Sequence, residues 1–309
     1  MRLAARLVRA AAVSFWVMVI AFGLIRLAPG DPVLARLGAE ADPAAIDRLR
    51  RALRLDVDPV TQFAEYFWSL LHGNLGKSIE NGRDVMEIIT QSLPVTLWII
   101  AVTVVMGLTV AVPLALYVAM TRRPSVPYIF RATTSVFLAI PAFFTALIGL
   151  LVFGLHFGIA PIIGYEPAFP ANLKYLWLPA LVICTTLVPV LARVLHSSIL
   201  ETTSEEFVES GIVRGLGRLR LYWFYLLKPS LAPTIVLLSY MVGVMVGSTV
   251  IIETIFSLPG IGRNLVGAVI GRDYPVVQGI VLVFGLFVVV VGLIGDIVAN
   301  WLDPRVSVS

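Results

Sequence analysis

The chain has 309 residues, of which 59% are hydrophobic and 14% are charged, and its formal net charge is +4. A soluble domain is typically about half apolar and a quarter charged, so this composition excludes an ordinary soluble protein. The positive charge does not indicate nucleic-acid binding, because the arginines stand beside apolar runs rather than along one basic face. The single cysteine, Cys184, excludes a disulfide within the chain.

Several uninterrupted apolar runs exceed the roughly 18 residues that are needed to cross a bilayer. Backbone polar groups must be satisfied inside lipid, and the runs lack the alternation of a barrel strand, so these segments are expected to be helices. The fold class is therefore an all-α, polytopic membrane protein with six transmembrane helices. The predicted spans are residues 8–28, 95–120, 130–157, 175–195, 232–256 and 276–301.

The first apolar run follows Arg2, Arg6 and Arg9, as the core of a secretory signal peptide would. However, the run is long, no small-residue cleavage site is evident before Pro29, and further spans follow. We therefore expect this run to be retained as a transmembrane helix.

Basic residues in the short loops predict the orientation, because cytoplasmic loops are enriched in lysine and arginine. The opposite face carries only Lys174, Arg263 and Arg272 in its short loops. Both termini are therefore predicted to be cytoplasmic. The basic residues on the cytoplasmic face are Arg2, Arg6, Arg9, Arg122, Arg123, Arg193, Arg214, Arg218, Arg220 and Lys228.

Three regions follow from these spans. Residues 1–29 hold the cytoplasmic amino terminus and the first helix, and residues 30–94 form an external segment. That segment mixes charges with aromatic residues such as Phe63 and Trp68, so it is expected to be folded and largely helical. Residues 95–309 form the core with the other five helices.

The chain offers little for catalysis. Gly76-Lys77-Ser78 resembles the end of a phosphate-binding loop, but Leu71 stands where that motif requires a glycine. His72, His156 and His196 are scattered, so no metal-ligand cluster is expected. We find neither H-E-x-x-H nor G-x-S-x-G. The sequence therefore predicts a non-catalytic chain without a metal site.

Two acidic residues fall within predicted spans, where ionisable groups are normally functional. Asp296 lies on the order of 7 Å from Trp301, and Glu253 about 5 Å from Phe256, at the rise of a helix. Neither reaches the middle of a roughly 30 Å core. Interfacial pairing or hydration is favoured over a proton relay, which weakens the case for a proton-coupled secondary transporter.

The fifth predicted span carries candidates for packing and for a pore. Gly243 and Gly247 have the spacing of small residues at a close helix contact, either within the chain or with a second subunit. Met241, Met245 and Ser248 are candidate pore-lining residues, although packed or lipid-facing methionines would explain the same pattern.

The polar segment from about 203 to 217 is predicted to form a short helix. Thr203 and Glu206 have the spacing of a capping box. The residues Val208, Ile212 and Leu216 recur every four positions and predict one apolar stripe.

Glycines mark the middle and the end of this short helix. Gly211 lowers helix propensity by about 1 kcal/mol, which suggests that something packs closely against it. Gly215 and Gly217 can end the helix with a positive φ angle. From the residues alone, docking to another protein and lying on the membrane surface remain equally open.

The same segment resembles the E-A-A…G loop of ABC importer permeases, in which a short coupling helix inserts into a groove on an ATPase subunit. Glu209, Ser210 and Gly211 stand at the E-A-A positions, and Gly215 stands at the glycine. The two alanines are replaced by serine and glycine, which are small but favour a helix less.

Further motifs resemble the B-type permeases of dipeptide, oligopeptide and nickel importers over nearly the whole chain. They are R-L-A-P-G-D-P at 26–32, L-R-L-D-V-D-P at 53–59 with Gln62, G-N-L-G-K-S at 73–78, E-T-I-F-S-L-P-G-I-G at 253–262, R-D-Y-P-V-V-Q at 272–278 and L-D-P-R at 302–305.

The resemblance implies the fold of a type I ABC importer permease in a bacterial inner membrane. The implied partners are a second, homologous permease that completes the pore, two ATPase subunits and an external substrate-binding protein. The chain itself would bind no cofactor, because ATP and magnesium would be held by the ATPases. The cargo would be a di- or oligopeptide; nickel, glutathione and haem are alternatives. A self-contained secondary transporter and a membrane-embedded enzyme are less favoured.

The resemblance also implies site residues. The outer gate would include Glu253, Phe256 and Pro259. The residues expected to contact the ATPase are Glu205, Phe207, Val208, Glu209, Gly211, Ile212, Arg214, Gly215 and Leu216.

Overall fold

The computed structural model describes residues 2–27, 33–34, 38, 41–52, 56–217 and 220–302. Across these residues the regular structure is helical, apart from one isolated β-bridge between Lys77 and Asp84. The motif residues 28–32, 53–55 and 303–305, together with Arg218, lie outside the described part of the chain.

The helices are numbered here in chain order. They are α1 (Arg2–Leu27), α2 (Pro43–Ala52), α3 (Pro59–Leu71), α4 (Val85–Met120), α5 (Ser125–Ala139), α6 (Ala142–Gly149), α7 (Leu173–Thr203), α8 (Glu206–Val213), α9 (Lys228–Ile255), α10 (Ile261–Ile270) and α11 (Tyr274–Leu302). Two π-helical segments, π1 (Leu150–His156) and π2 (Leu221–Leu227), lead out of α6 and into α9.

Four helical stretches are long and apolar enough to cross a membrane, namely α4, α7, π2 with α9, and α11. A fifth candidate is formed by α5 together with α6 and π1, which meet at a bend of 89°. In α1 the apolar stretch Ala10–Gly23 falls short of the 18 residues of a full span. The described residues therefore contain four or five candidate spans, against the six that the sequence predicts.

The predicted span 130–157 is not one straight helix. Helix α5 ends at Ala139, and Ile140 adopts an extended conformation with φ −88° and ψ 121° before Pro141. A residue that precedes proline is disfavoured in the α conformation, since the proline ring collides with its backbone. Pro141 therefore breaks the apolar run into two helices, which hydropathy alone does not detect.

The helices form two compact units. The first contains residues 1–94 and 260–289. Its core joins Val85 and Ile89 of α4 to Ile261 of α10 and to Val276 and Ile280 of α11, all of which are buried.

The second unit contains residues 95–259 and 290–309. Helix α7 is the most buried of the long helices and packs against α5, α6 and α9. Near the end of α7, Leu195 and Ile199 form a buried cluster with Ala115 of α4 and Leu227 of π2. This cluster lies at the end of the unit from which α8 projects.

Candidate functional site

The short helix α8 begins three residues later than the sequence predicts. Thr203 still belongs to α7, and its hydroxyl donates to the carbonyl oxygen of Ile199 at 2.7 Å. The capping box predicted from Thr203 and Glu206 is therefore wrong. The amide of Val208 donates to the carbonyl oxygen of Glu205 at 3.0 Å, so Glu205 precedes the first turn. Glu206 and Glu209 favour that turn, because negative charge is stabilised at a helix amino terminus.

One side of α8 packs against its own chain. Val208 is buried with Leu221 and Leu226 of π2, and Phe207 and Tyr225 pack around them with ring centroids 6.4 Å apart. Burying a valine side chain contributes about 1.5–3 kcal/mol. The apolar stripe predicted from the sequence is thus turned inward at Val208, and it holds α8 to π2.

Gly211 lies on the same inward side. A β-carbon at this position would lie 3.3 Å from the Cδ1 atoms of both Leu216 and Leu221, and 3.6 Å from Cδ1 of Tyr225. The close neighbour that the sequence predicts at Gly211 is therefore found within this chain. Leu216 itself lies beyond the helix end and is half-buried.

The opposite side of α8 is free of intrachain packing. It is exposed at Glu206, Glu209, Ser210 and Val213, which recur with the period of one helix face. The side chain of Val213 is 82% exposed. We call these four residues the exposed face of α8.

The predicted ATPase contacts divide between these two sides. Glu205, Glu209, Arg214 and Gly215 are exposed, Phe207 and Leu216 are half-buried, Val208 and Gly211 are buried, and the side chain of Ile212 lies outside the described part of the structure. The exposed face also contains Glu206, Ser210 and Val213, which were not among the residues expected to contact the ATPase. Their spacing of three and four residues was the available signal.

A tight turn ends α8. The amide of Arg214 donates to the carbonyl oxygen of Ser210 at 3.1 Å, and that of Leu216 donates to the carbonyl oxygen of Gly211 at 3.2 Å. Between them Gly215 has φ +73°, the left-handed conformation in which glycine is favoured at helix ends. A β-carbon on Gly215 would meet nothing within 4 Å. The turn therefore requires glycine for its backbone and leaves open space beside it.

Behind α8, a buried hydroxyl cluster ties α7 to the start of α9. The hydroxyl oxygen of Ser230, which is fully buried, lies 2.9 Å from that of Thr202 and 2.7 Å from the carbonyl oxygen of Leu226. The Thr202 hydroxyl donates in turn to the carbonyl oxygen of Ser198 at 2.8 Å. Polar groups in an apolar interior are costly unless paired, so these bonds hold the helix ends in one arrangement.

The predicted pore-lining residues do not share one environment. Met245 is buried within the second unit, whereas Met241 and Ser248 are partly exposed. The predicted outer-gate residues are similarly divided. Glu253 is fully buried and accepts a hydrogen bond from the Thr96 hydroxyl, and Phe256 is buried.

Pro259, the third of the predicted gate residues, is exposed. It is therefore the only one of the three that this chain presents at its surface. Of the two expectations that were favoured over a proton relay, pairing or hydration, the structure shows pairing, because Glu253 is buried against a hydroxyl of its own chain.

The glycine-lysine-serine stretch that mimics a phosphate-binding loop has a different role in the first unit. The hydroxyl of Ser78 donates to the carboxylate of Asp273, which also accepts from the amides of Ile79 at 3.1 Å and Glu80 at 3.3 Å. Asp273 is 2% exposed and lies between α10 and α11. We call this arrangement the Asp273 clasp.

An apolar cavity of about 560 Å³ opens between α4, α5 and α7 in the second unit. Its lining is aliphatic and aromatic, apart from the hydroxyl groups of Tyr117, Thr133, Thr134 and Thr185 and the thiol of Cys184. No acidic or basic side chain lines it. Among the described residues, no group of three or more His, Cys, Asp or Glu side chains is placed to hold a metal ion.

Comparison with known proteins gives consistent matches along the chain. Residues 111–308 match the family described as "Binding-protein-dependent transport system inner membrane component", and residues 1–103 match "Binding-prot-dependent transport system membrane comp, N-term". A putative peptide transport system permease protein of Brucella suis is 29% identical over 304 residues, covering 97% of each chain. The nickel import system permease protein NikB of Staphylococcus aureus is 32% identical over 303 residues, covering 97% of this chain and 90% of the relative.

Proposed function

Because the chain belongs to the family of binding-protein-dependent transport system inner membrane components, we propose that it is the permease subunit of an ATP-driven importer of di- or oligopeptides. Curated relatives from Brucella suis that match 97% and 94% of the chain are named as peptide permeases, which supports this cargo. Nickel is the second candidate, because the Staphylococcus aureus relative is a nickel import permease with 32% identity.

The observation that carries the proposal is the two-sided character of α8. Its inward side packs against π2 through Val208 and Gly211, whereas the exposed face makes no contribution to this packing. That face combines the carboxylates of Glu206 and Glu209 with the apolar side chain of Val213. We expect the ATPase groove to place basic groups opposite the carboxylates and an apolar contact opposite Val213.

The packing of α8 also provides a route by which an ATPase could move the permease. Helix α8 contacts π2, and π2 continues without interruption into α9. The turn Ser204–Glu205 joins α8 to α7. A displacement of α8 would therefore be delivered to the ends of two membrane-spanning helices. Each partner must favour one of two pore states, since equal affinity for both would shift nothing.

The topology completes the proposal. We propose that α1 also crosses the membrane, which brings the number of spans to six. Following the distribution of basic residues, both termini lie in the cytoplasm and residues 30–94 lie on the outside. A second, homologous permease completes the pore, two ATPase subunits bind the coupling helices and supply ATP and magnesium, and an external protein delivers the cargo. This chain binds no cofactor of its own in this scheme.

The first test is to purify the tagged chain from its native membrane in mild detergent and to identify what accompanies it by mass spectrometry. We expect a second six-span permease and one or two ATPases. Recovery of the chain alone, under conditions that preserve known complexes, would contradict the importer. Uptake of a labelled dipeptide and of radiolabelled nickel by the same cells then distinguishes the two cargoes.

A charge reversal on the exposed face makes this test specific to α8. Glu209→Lys is expected to reduce the recovered ATPase without reducing the amount of chain in the membrane, because it opposes the basic groups expected in the groove. Glu201→Lys, the same change at an exposed position on α7, is the matched control and should leave ATPase recovery unchanged. Equal recovery with both variants would count against the coupling role of α8.

A further inference from the structure

Helix α3 is divided into three longitudinal sectors. At about 100° per residue, Phe63, Tyr66 and Leu70 share one side of the helix. These side chains are partly buried, and the rings of Phe63 and Tyr66 contact α1. A polar sector carries Thr61, Glu65 and Ser69.

The third sector of α3 is apolar and uncovered. Its largest side chains are exposed to 76% at Val60, 38% at Phe67, 65% at Trp68 and 63% at Leu71. Ala64 lies between them and is also exposed. No charged side chain belongs to this sector, which we call the open apolar sector of α3.

The contacts of Phe63 fix the level of α3 along α1. Its ring centroid lies 5.2 Å from that of Phe22 and 6.3 Å from that of Phe15. These two residues stand seven positions apart, or about 10 Å along the helix axis. Both belong to the apolar stretch Ala10–Gly23. At Phe63, α3 therefore lies beside the apolar part of α1 and not beyond its end.

Helix α1 also presents exposed apolar side chains. Trp16 is 62% exposed and Ile20 is 55% exposed, in the same stretch that α3 contacts. An uncovered apolar surface of this kind marks an interaction site. A helix with adjoining apolar and polar sides is suited to the membrane–water boundary. The position of Trp68, whose ring lies 4.8 Å from that of His72, suits the tryptophan belt found at that boundary.

We propose that α3 lies along the external surface of the membrane that α1 spans. Its open apolar sector is immersed among the lipids of the outer leaflet, and Thr61 and Glu65 face water. This inference rests on the proposed topology, in which α1 spans the membrane and residues 30–94 lie outside. Part of the segment that the sequence analysis placed outside the membrane is thereby embedded in it, and α3 holds that segment at a fixed depth.

The inference is tested by single spin labels on the intact complex in phospholipid vesicles, after Cys184 has been replaced by serine. Labels at Ala64, Phe67 and Leu71 sample the open apolar sector. Labels at Thr61 and Glu65 are matched controls on the polar sector, within three residues of the first set. The measured quantity is the ratio of collision rates with oxygen, which partitions into lipid, and with chromium oxalate, which remains in water.

We expect this ratio to be several-fold higher at the three apolar positions than at the two polar ones. Equal access of chromium oxalate to both sets would overturn the proposal and leave α3 in water. Immobilised labels at Phe67 and Leu71 that neither reagent reaches would overturn it too, and would identify a protein, such as the second permease, as the cover. Because the label signals depend on what surrounds α3 and not on ATP hydrolysis or cargo, failure of the importer proposal is seen separately, in the partners that co-purify.

Discussion

At the scale of single residues, Asp273 joins positions that are 195 residues apart in the chain. Its carboxylate accepts hydrogen bonds from the loop that follows Gly76. That loop folds back on itself, so that the amide of Ser78 donates to the carbonyl oxygen of Arg83 at 2.8 Å. The Gly76-Lys77-Ser78 sequence, which only mimics a nucleotide motif, therefore provides a hydroxyl and two following amides for one buried acceptor. The clasp fixes the loop to the turn between α10 and α11.

The Asp273 clasp predicts an order of stabilities. Asp273→Ala leaves the donors at Ser78, Ile79 and Glu80 without their acceptor, at a cost of about 1–3 kcal/mol for a donor that remains buried. Asp273→Asn keeps one carbonyl acceptor and is expected to cost less, and Ser78→Ala removes a single bond. Thermal unfolding of the purified protein should rank the wild type first, then Ser78→Ala and Asp273→Asn, with Asp273→Ala last. Unfolding of Asp273→Ala at the wild-type midpoint would show that the clasp contributes nothing.

Gly215 separates the conformation of a turn from contact with a partner. Any substitution meets the left-handed backbone, which costs an ordinary residue about 1–2 kcal/mol, whereas the space beside it is open. Gly215→Ala and Gly215→Arg share that cost but differ in reach. We expect Gly215→Ala to retain most uptake, and Gly215→Arg to lose it at an unchanged membrane level, because the long cation blocks the docked turn. Equal losses would assign the effect to the turn alone.

At the scale of elements, the two sides of α8 have different surroundings, since one packs against π2 and the other is exposed. Val208 binds the helix to π2, while Val213, five positions later, is left exposed. The two valines are chemically identical, so their different surroundings determine what each contributes. Pro229, just beyond π2, cannot donate a backbone hydrogen bond, and its ring would collide with the carbonyl of Tyr225 in a regular α-helix. The wider turn of π2 at this point has that physical cause.

Replacing each valine by alanine should therefore affect a different property, stability at Val208 and ATPase binding at Val213. Val208→Ala opens a cavity between α8 and π2 and is expected to cost on the order of 2 kcal/mol, seen as a lower unfolding temperature. Val213→Ala should leave the unfolding temperature unchanged, since exposed substitutions stay within about 0.5 kcal/mol. It should nevertheless reduce the ATPase that co-purifies. A Val213→Ala complex with full ATPase recovery would remove Val213 from the proposed contact.

At the scale of the whole molecule, each of the two compact units is built from two stretches of the chain that are not consecutive in sequence. Residues 260–289 join the amino-terminal unit, and residues 290–309 return to the second unit. The predicted regions 1–29, 30–94 and 95–309 divide the chain by expected position relative to the membrane, which is a different division from one by contacts. In the first unit, the Asp273 clasp and the cluster around Val85, Ile261 and Ile280 are the contacts that bring the distant segments together.

The sequence by itself determined the class of the protein and its family. Long apolar runs leave helices as the solution in lipid, and the ordered motifs, from the loop at Glu209–Gly215 to R-D-Y-P at 272–275, identify the permease family that the comparisons confirm. It also placed the glycine that ends α8, because the left-handed turn at Gly215 is a local property of the backbone.

Only the tertiary structure decided which sides of these helices are used. Periodicity marks Val208 and Gly211 as one face, but whether that face meets a partner or its own chain depends on π2, which folds back onto it. The capping box at Thr203 failed for a related reason, because α7 continues through that residue. Hydropathy found the apolar run at 130–157, yet the break at Pro141 is a local steric effect that summed hydropathy does not contain. Residue spacing defines the faces of a helix, and contacts between distant segments decide which of those faces is buried within the chain.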